Sequence, residues 1–183
     1  MAERNKLDLP INFQSDRLVF TRLRYEDAEE IFYSYASKLV CTKYLSWPTH
    51  QKISDTHQFL QHAVKAWNLG LDYSYSIRLK ENNRLIGAYG IINENGKIQF
   101  GYVLSEQHWG KGYATEACQH VTYLLLRLKN IFRIGTYVDC EHQASCRVLE
   151  KSGYVKEARL KKWLVFPNQG NLPKDCWVYI YPE

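Results

Sequence analysis

A chain of 183 residues, 45% hydrophobic and 14% aromatic, can bury a core without disulfide or metal staples and is too apolar to stay disordered. Its formal net charge of +5 suits an anionic ligand but does not by itself argue for nucleic acid. The five cysteines (Cys41, Cys118, Cys140, Cys146 and Cys176) include no CxxC, and neither a bilayer-length apolar run nor a secretory leader is visible, so free thiols in a reducing cytoplasm are expected.

Residues 16–23 alternate as a strand does. Residues 25–37 follow with helical spacing, and Glu26 and Asp27 stand in the first turn, where the helix dipole favours acids. Trp47-Pro48 interrupts the chain before a helix opened by Ser54-Asp55, with Phe59, Leu60, Ala63, Val64 and Trp67 on one face and Gly70 at its end. Residues 73–79 and 84–92 read as strands about a turn at Asn82-Asn83, and Asn95-Gly96 is a hairpin signal leading into residues 97–104. These three strands form an antiparallel meander. Ala114, Ala117, Cys118, Val121, Leu124, Leu125 and Leu128 then recur at the spacing of one amphipathic helix. A strand over 132–139, a short helix over 143–152 and strands over 154–166 and 174–181 complete the chain. No repeat or linker divides it, so residues 1–183 read as one α/β domain with a mixed, mostly antiparallel sheet of about six to seven strands flanked by helices.

Between the meander and the amphipathic helix lies Gln107-His108-Trp109-Gly110-Lys111-Gly112-Tyr113-Ala114. Two glycines at the mouth of a helix leave backbone N–H groups bare and open to close approach, which suits an anion and above all a phosphate. A dinucleotide fold does not fit. Gly110 to Thr115 gives GxGxxT without the third glycine, and Arg133 stands about where an acid should hold the ribose. A P-loop does not fit either, because Lys111 precedes Gly112. Read without a ligand, the turn is a plain strand-to-helix connection.

Gln107-x-x-Gly110-x-Gly112-x-Ala114 resembles the Q/R-x-x-G-x-G/A acetyl-CoA signature of the GCN5-related N-acetyltransferases, the GNAT superfamily. Phe100-Gly101-Tyr102-Val103-Leu104, the run from His108 to Ala117, and the block Ala144-Ser145-x-Arg147-Val148-Leu149-Glu150-Lys151-x-Gly153-Tyr154 are similar to its RimJ/RimL branch, which acetylates ribosomal proteins. Upstream, Arg17-Leu18, Glu26-Asp27-Ala28 and Trp47-Pro48-x-His50 fit in order and spacing, so the resemblance spans about residues 15–182.

The resemblance implies a single-domain acyl-CoA N-acyltransferase that moves an acetyl group from acetyl-CoA to a primary amine, with no metal. Backbone at Gln107, His108, Trp109, Gly110, Lys111, Gly112, Tyr113, Ala114 and Thr115 would hold the pyrophosphate. Val103 and Leu104 would hydrogen-bond the pantetheine arm, and an N–H near Val103 would steady the thioester oxygen. Where many relatives carry an asparagine and, seven residues on, a tyrosine that protonates the leaving thiolate, this chain has His142 and Leu149. Ser145 is then the candidate for positioning or protonating the thiol, against a local helix-start role. His142 is either a proton carrier or pantetheine partner, or an ordinary helix-start residue. Gln99 replaces a glutamate common in relatives, which leaves Glu157 as a substitute base, or water acting alone.

The expected partners are acetyl-CoA and an amine, the α-amine of a protein or a small molecule, bound among residues 25–69 and 160–173. Neither nucleic acid nor a membrane is expected, and the oligomeric state is open, a homodimer included. One competing reading is a catalytically weak CoA-binding sensor. Another is RNA binding through Arg159, Lys161, Lys162 and Trp163, a stretch that more often forms a solvated face.

Overall fold

The computed structural model describes residues 6–182. Eight strands form one sheet: β1 (Asn12–Gln14), β2 (Leu18–Arg22), β3 (Asp72–Leu79), β4 (Leu85–Glu94), β5 (Lys97–Leu104), β6 (Arg133–Asp139), β7 (Val155–Val165) and β8 (Pro173–Ile180). Their order is β1-β2-β3-β4-β5-β6-β8-β7. The meander and the α/β architecture are as the sequence indicates, and the strand that exceeds the expected number is β1. It is only three residues long, too short for an alternation to register, and is closed onto β2 by the Ser15–Leu18 turn, whose backbone bond measures 2.9 Å. At the β4–β5 hairpin Asn95 and Gly96 both take positive φ, 56° and 99°, as a two-residue turn of primed type requires.

The segment after β2 departs from the single helix expected over residues 25–37. It is a 3₁₀ turn (Tyr25–Asp27), a four-residue helix α1 (Ala28–Ile31) and a π-helical stretch (Phe32–Ala36), followed by the short α2 (Leu39–Thr42). The long helix α3 (Ile53–Leu69) ends at Gly70 in the left-handed region, as its sequence suggests. Helices α4 (Tyr113–Leu126) and α5 (Gln143–Lys151) follow β5 and β6.

Side chains alternate across β5, so the sheet buries apolar groups on both faces. Ile98 and Phe100 join Ala117, Cys118, Val121 and Leu125 of α4 and Cys146 and Leu149 of α5 in one cluster. Val103 points the other way, into a second cluster with Ile31, Tyr35, Leu60, Ala63 and Leu85. Each fully buried leucine or valine contributes about 1.5–3 kcal/mol relative to exposure.

The one parallel contact positions the site. β5 and β6 pair only at Lys97–Arg133, Ile98–Ile134 and Gln99–Gly135, after which they part. The Thr136 hydroxyl bridges the start of the gap by donating to Phe100 C=O at 2.6 Å. Beyond it, β6 stays paired with β8 through Asp139, and β5 stays paired with β4 through Leu104, leaving a cleft between the C-terminal ends of β5 and β6. Helices α4 and α5 start from those two ends.

Candidate active site

Strand register decides which backbone groups line the cleft. Ser105 N–H donates to Ile86 C=O at 2.8 Å, and antiparallel pairing alternates from there. Gly101 and Val103 therefore turn their N–H and C=O to β4, opposite Gly90 and Ala88. Phe100, Tyr102 and Leu104 turn theirs toward β6, where Phe100 C=O accepts the Thr136 bond and Leu104 C=O accepts from Trp109 Nε1 at 2.8 Å. Among the described residues, the free backbone groups on the cleft edge are the N–H of Leu104 and the N–H and C=O of Tyr102. The Val103 backbone, expected to face the cleft, is engaged in the β4 ladder instead, and it is Tyr102 and Leu104 that present free groups there.

The glycine turn has the form that a phosphate nest requires. Gly110 and Gly112 have φ of 73° and 79°, values that side-chain-bearing residues adopt at a cost. Space is not the constraint at Gly110, where an added Cβ would meet nothing within 4 Å; backbone conformation is. Glu116 N–H, bonded to Gly112 C=O at 3.0 Å, is the first in the helical ladder, and Gly112 caps α4 without a side chain. Among the described residues, the N–H groups from Gly110 to Thr115 have no protein acceptor, and they surround the positive end of α4. Such a run of oriented N–H groups makes an anion-binding concavity.

The flanking side chains brace this turn. His108 is buried and its Nδ1 lies 2.6 Å from the Ser105 hydroxyl; burial, with help from Lys111 and Arg84, holds its pKa below the usual histidine value. Gln107 Oε1 accepts from Arg84 at 3.2 Å. Arg17, carried on the β1–β2 turn, donates from Nε to Glu116 at 2.6 Å and from Nη1 to Lys111 C=O at 3.0 Å. The Ser15 hydroxyl and Arg17 N–H donate to the other Glu116 oxygen at 2.7 and 2.8 Å. Burial opposes the Glu116 charge, but these bonds and the Arg17 charge outweigh it and hold the carboxyl below the usual range. Arg17 and Arg84 were not read from the sequence as site residues. They lie 94 and 23 residues from their partners at the turn, a separation no local spacing rule bridges.

On the far side of the cleft, Ser145 sits in the first turn of α5, buried, with its hydroxyl 2.9 Å from the Tyr102 hydroxyl. Burial drives the Tyr102 pKa well above that of a free phenol, with the Ser145 bond opposing, so the phenol stays protonated. His142 precedes α5 and stacks on Tyr44, centroids 4.1 Å apart and planes 10° from parallel. Burial lowers its pKa to about 4, with Asp139 opposing and Lys43 assisting. At neutral pH His142 is therefore a neutral ring and a weak base.

Glu157 is not part of this site. It ion-pairs with Arg133, the first residue of β6, at the end where β5 and β6 are joined rather than parted, and the Arg133 bond holds its carboxyl below the usual range. The buried Asp139 has both oxygens occupied, by Glu141 N–H at 2.8 Å and Gln169 Nε2 at 2.9 Å. Of the basic stretch, Arg159 pairs with Asp175 at 2.9 Å, on an exposed edge strand away from the turn.

Asn168, in the 3₁₀ turn between β7 and β8, ties that loop to the segment joining α2 to α3. Its Oδ1 accepts from Thr49 N–H at 2.8 Å and the Thr49 hydroxyl at 3.1 Å; its Nδ2 donates to Thr42 C=O at 2.8 Å and Trp47 C=O at 2.9 Å. The β7–β8 loop and the α2–α3 segment are thereby one wall. Among the described residues no cluster of three or more His, Cys, Asp or Glu could hold a metal ion, and no helix is long and apolar enough to cross a membrane.

A sheet parted at its middle, beside a helix mouth lined with free N–H groups, defines a transferase of the acyl-coenzyme A class. Residues 17–155 match the family model described as Acetyltransferase (GNAT) domain. The chain is 30% identical over 152 residues to the uncharacterized N-acetyltransferase p20 of Bacillus licheniformis, covering 81% of this chain and 85% of that one. Among solved structures, it is similar to RimL, the ribosomal L7/L12 α-N-protein acetyltransferase in complex with coenzyme A (TM-score 0.81, 18% identity, 96% and 97% of the chains covered). It is similar also to the microcin C7 self-immunity acetyltransferase MccE in complex with acetyl-CoA and AMP (TM-score 0.81, 20% identity, 94% and 96%). The chain belongs to the GNAT acetyltransferase family and is an acetyl-CoA-dependent N-acetyltransferase.

Proposed function

We propose that this enzyme acetylates primary amines of moderate basicity, α-amino groups above all, by direct attack of the neutral amine on the acetyl-CoA thioester. The observation that carries this reading is that, among the described residues, none of the candidate bases about the cleft is both free and basic. Gln99 cannot take a proton, His142 has a pKa of about 4, Glu157 lies at the opposite end of β6, and Asp139 has both oxygens engaged. The acceptor must then supply its own neutral fraction. At pH 7.5 an α-amine of pKa about 7.7–8.0 is roughly a third neutral, whereas a lysine side chain near 10.4 is about 0.1% neutral.

In this reading the pyrophosphate rests on the N–H groups from Gly110 to Thr115, and Lys111 adds a charge at the rim. The pantetheine arm completes the β5 edge at Tyr102 and Leu104, as a strand would. The Leu104 or Tyr102 N–H steadies the thioester oxygen as charge develops on it. The amine nitrogen bonds to the acetyl carbon, the C–S bond breaks, and the thiolate accepts a hydrogen bond from the Ser145 hydroxyl, itself in contact with the Tyr102 phenol, and takes its proton from water. The extra proton on the nitrogen of the tetrahedral adduct passes to water, leaving the neutral amide.

Following free thiol release with two peptides tests this: one with a free α-amine and no lysine, the other N-terminally blocked with a single lysine. Faster turnover of the first at pH 7.5 is expected. Preference for the blocked peptide would overturn the acceptor class, and tight CoA binding without turnover on any amine would favour a binding protein instead.

A further inference from the structure

Glu116 poses a problem for a phosphate site. It stands in the first turn of α4, where a carboxylate competes with any other anion for the helix end. The Arg17 guanidinium faces it from the β1–β2 turn and engages it through Nε, while Arg17 N–H and the Ser15 hydroxyl occupy the second oxygen. The same guanidinium lies over the Tyr113 ring, 4.6 Å from its centroid, and its Nη2 is 3.4 Å from where a Gly112 Cβ would project. Through Nη1 it also holds Lys111 C=O. In a trans peptide the C=O and the following N–H point in opposite directions, so fixing Lys111 C=O toward Arg17 turns Gly112 N–H away from it, toward the open side of the nest.

We propose that Arg17 is a positioning residue for the phosphate site: it cancels the Glu116 charge and sets the Lys111–Gly112 peptide so that the nest accepts the coenzyme's phosphates. The inference rests on the pyrophosphate reading given above. Both jobs fall to one side chain on a turn remote in sequence, which couples the N-terminal hairpin to coenzyme affinity. Without Arg17, Glu116 becomes an uncompensated anion at the site. Without Glu116, the site loses an anion and Arg17 remains.

The two halves of that statement have opposite signs, and calorimetric titration with CoA reads them. Arg17→Met should weaken CoA binding about tenfold, the effect of one unscreened charge a few ångströms from a phosphate in a half-exposed setting. Glu116→Gln should bind at least as tightly as the unaltered chain, and Arg17→Met/Glu116→Gln should recover most of the lost affinity. Arg17→Lys, keeping charge without the fork, should fall between. Unchanged affinity in Arg17→Met, or a double variant no better than Arg17→Met, overturns the inference while leaving the site in place. Failure of the unaltered chain to bind CoA overturns the pyrophosphate reading itself, and the inference with it.

Discussion

The Tyr102 and Ser145 hydroxyls, 2.9 Å apart, join β5 to α5 across the cleft where the two halves of the sheet part. Neither has another hydrogen-bond partner on its side-chain oxygen among the described residues. The pair is therefore a single polar unit that links the strand to the helix. Ser145→Ala should lower kcat by about tenfold or more with a smaller change in KM for acetyl-CoA, as loss of a group acting mainly on the leaving thiolate predicts. Tyr102→Phe should lower kcat in the Ser145 background and do little in the Ser145→Ala background. Steady-state kinetics of the four proteins decides; additive effects would mean that the two hydroxyls act separately.

Gly112→Glu should abolish CoA binding. The position needs a φ of 79°, and the new carboxylate would add a second anion beside Glu116 at a helix end lined with N–H donors. Unaltered affinity in a titration monitored by the half-exposed Trp109 would remove the nest from the binding site.

His142 makes acid stability a readout of its burial. The fold lowers its pKa from 6.5 to about 4, so the fold favours the neutral ring. That contribution is complete above about pH 6.5 and is lost progressively as pH falls from there to about 4, in all about 3 kcal/mol. His142→Gln should flatten this part of the profile. Urea midpoints at pH 7 and pH 4.5 check it: equal shifts in both proteins would assign the acid sensitivity elsewhere.

Asn168→Ala removes four hydrogen bonds that tie the β7–β8 loop to residues 42–49. Stability should fall by about 2 kcal/mol, because Thr49 N–H and two carbonyls lose a partner. The KM for the amine should rise while CoA affinity stays constant, since no contact of Asn168 reaches the glycine turn. A matching loss of CoA affinity would mean that the wall is coupled to the donor site.

The regular parts of the fold were legible because their signals are local. Asn95-Gly96 dictates a tight hairpin through the φ values it tolerates, and the stripe from Ala114 to Leu125 can face only one core. The glycine turn was legible for the same reason. What escaped depends on register and on distance. Val103 and Tyr102 are adjacent in sequence and alike as strand formers, and only the Ser105–Ile86 bond tells which of them faces the cleft. Arg17 meets Glu116 across 99 positions. Glu157 looked suitable by its place after Gly153-Tyr154, yet β7 runs along the outer edge of the sheet and carries it to Arg133. The helix expected over residues 25–37 is broken into turns of different pitch, a change that a periodicity of 3.6 does not detect.

The parallel seam between β5 and β6 is three residue pairs long, and it acts as a fulcrum. Its last member on β6 is Gly135, where a Cβ would lie 2.7 Å from Tyr179 C=O and against Ile180 of β8. Any side chain there must lever β8 away from β6 or tilt both against β5. The strand that parts from β5 to open the cleft is thus held against β8 by backbone packing at a position without a side chain.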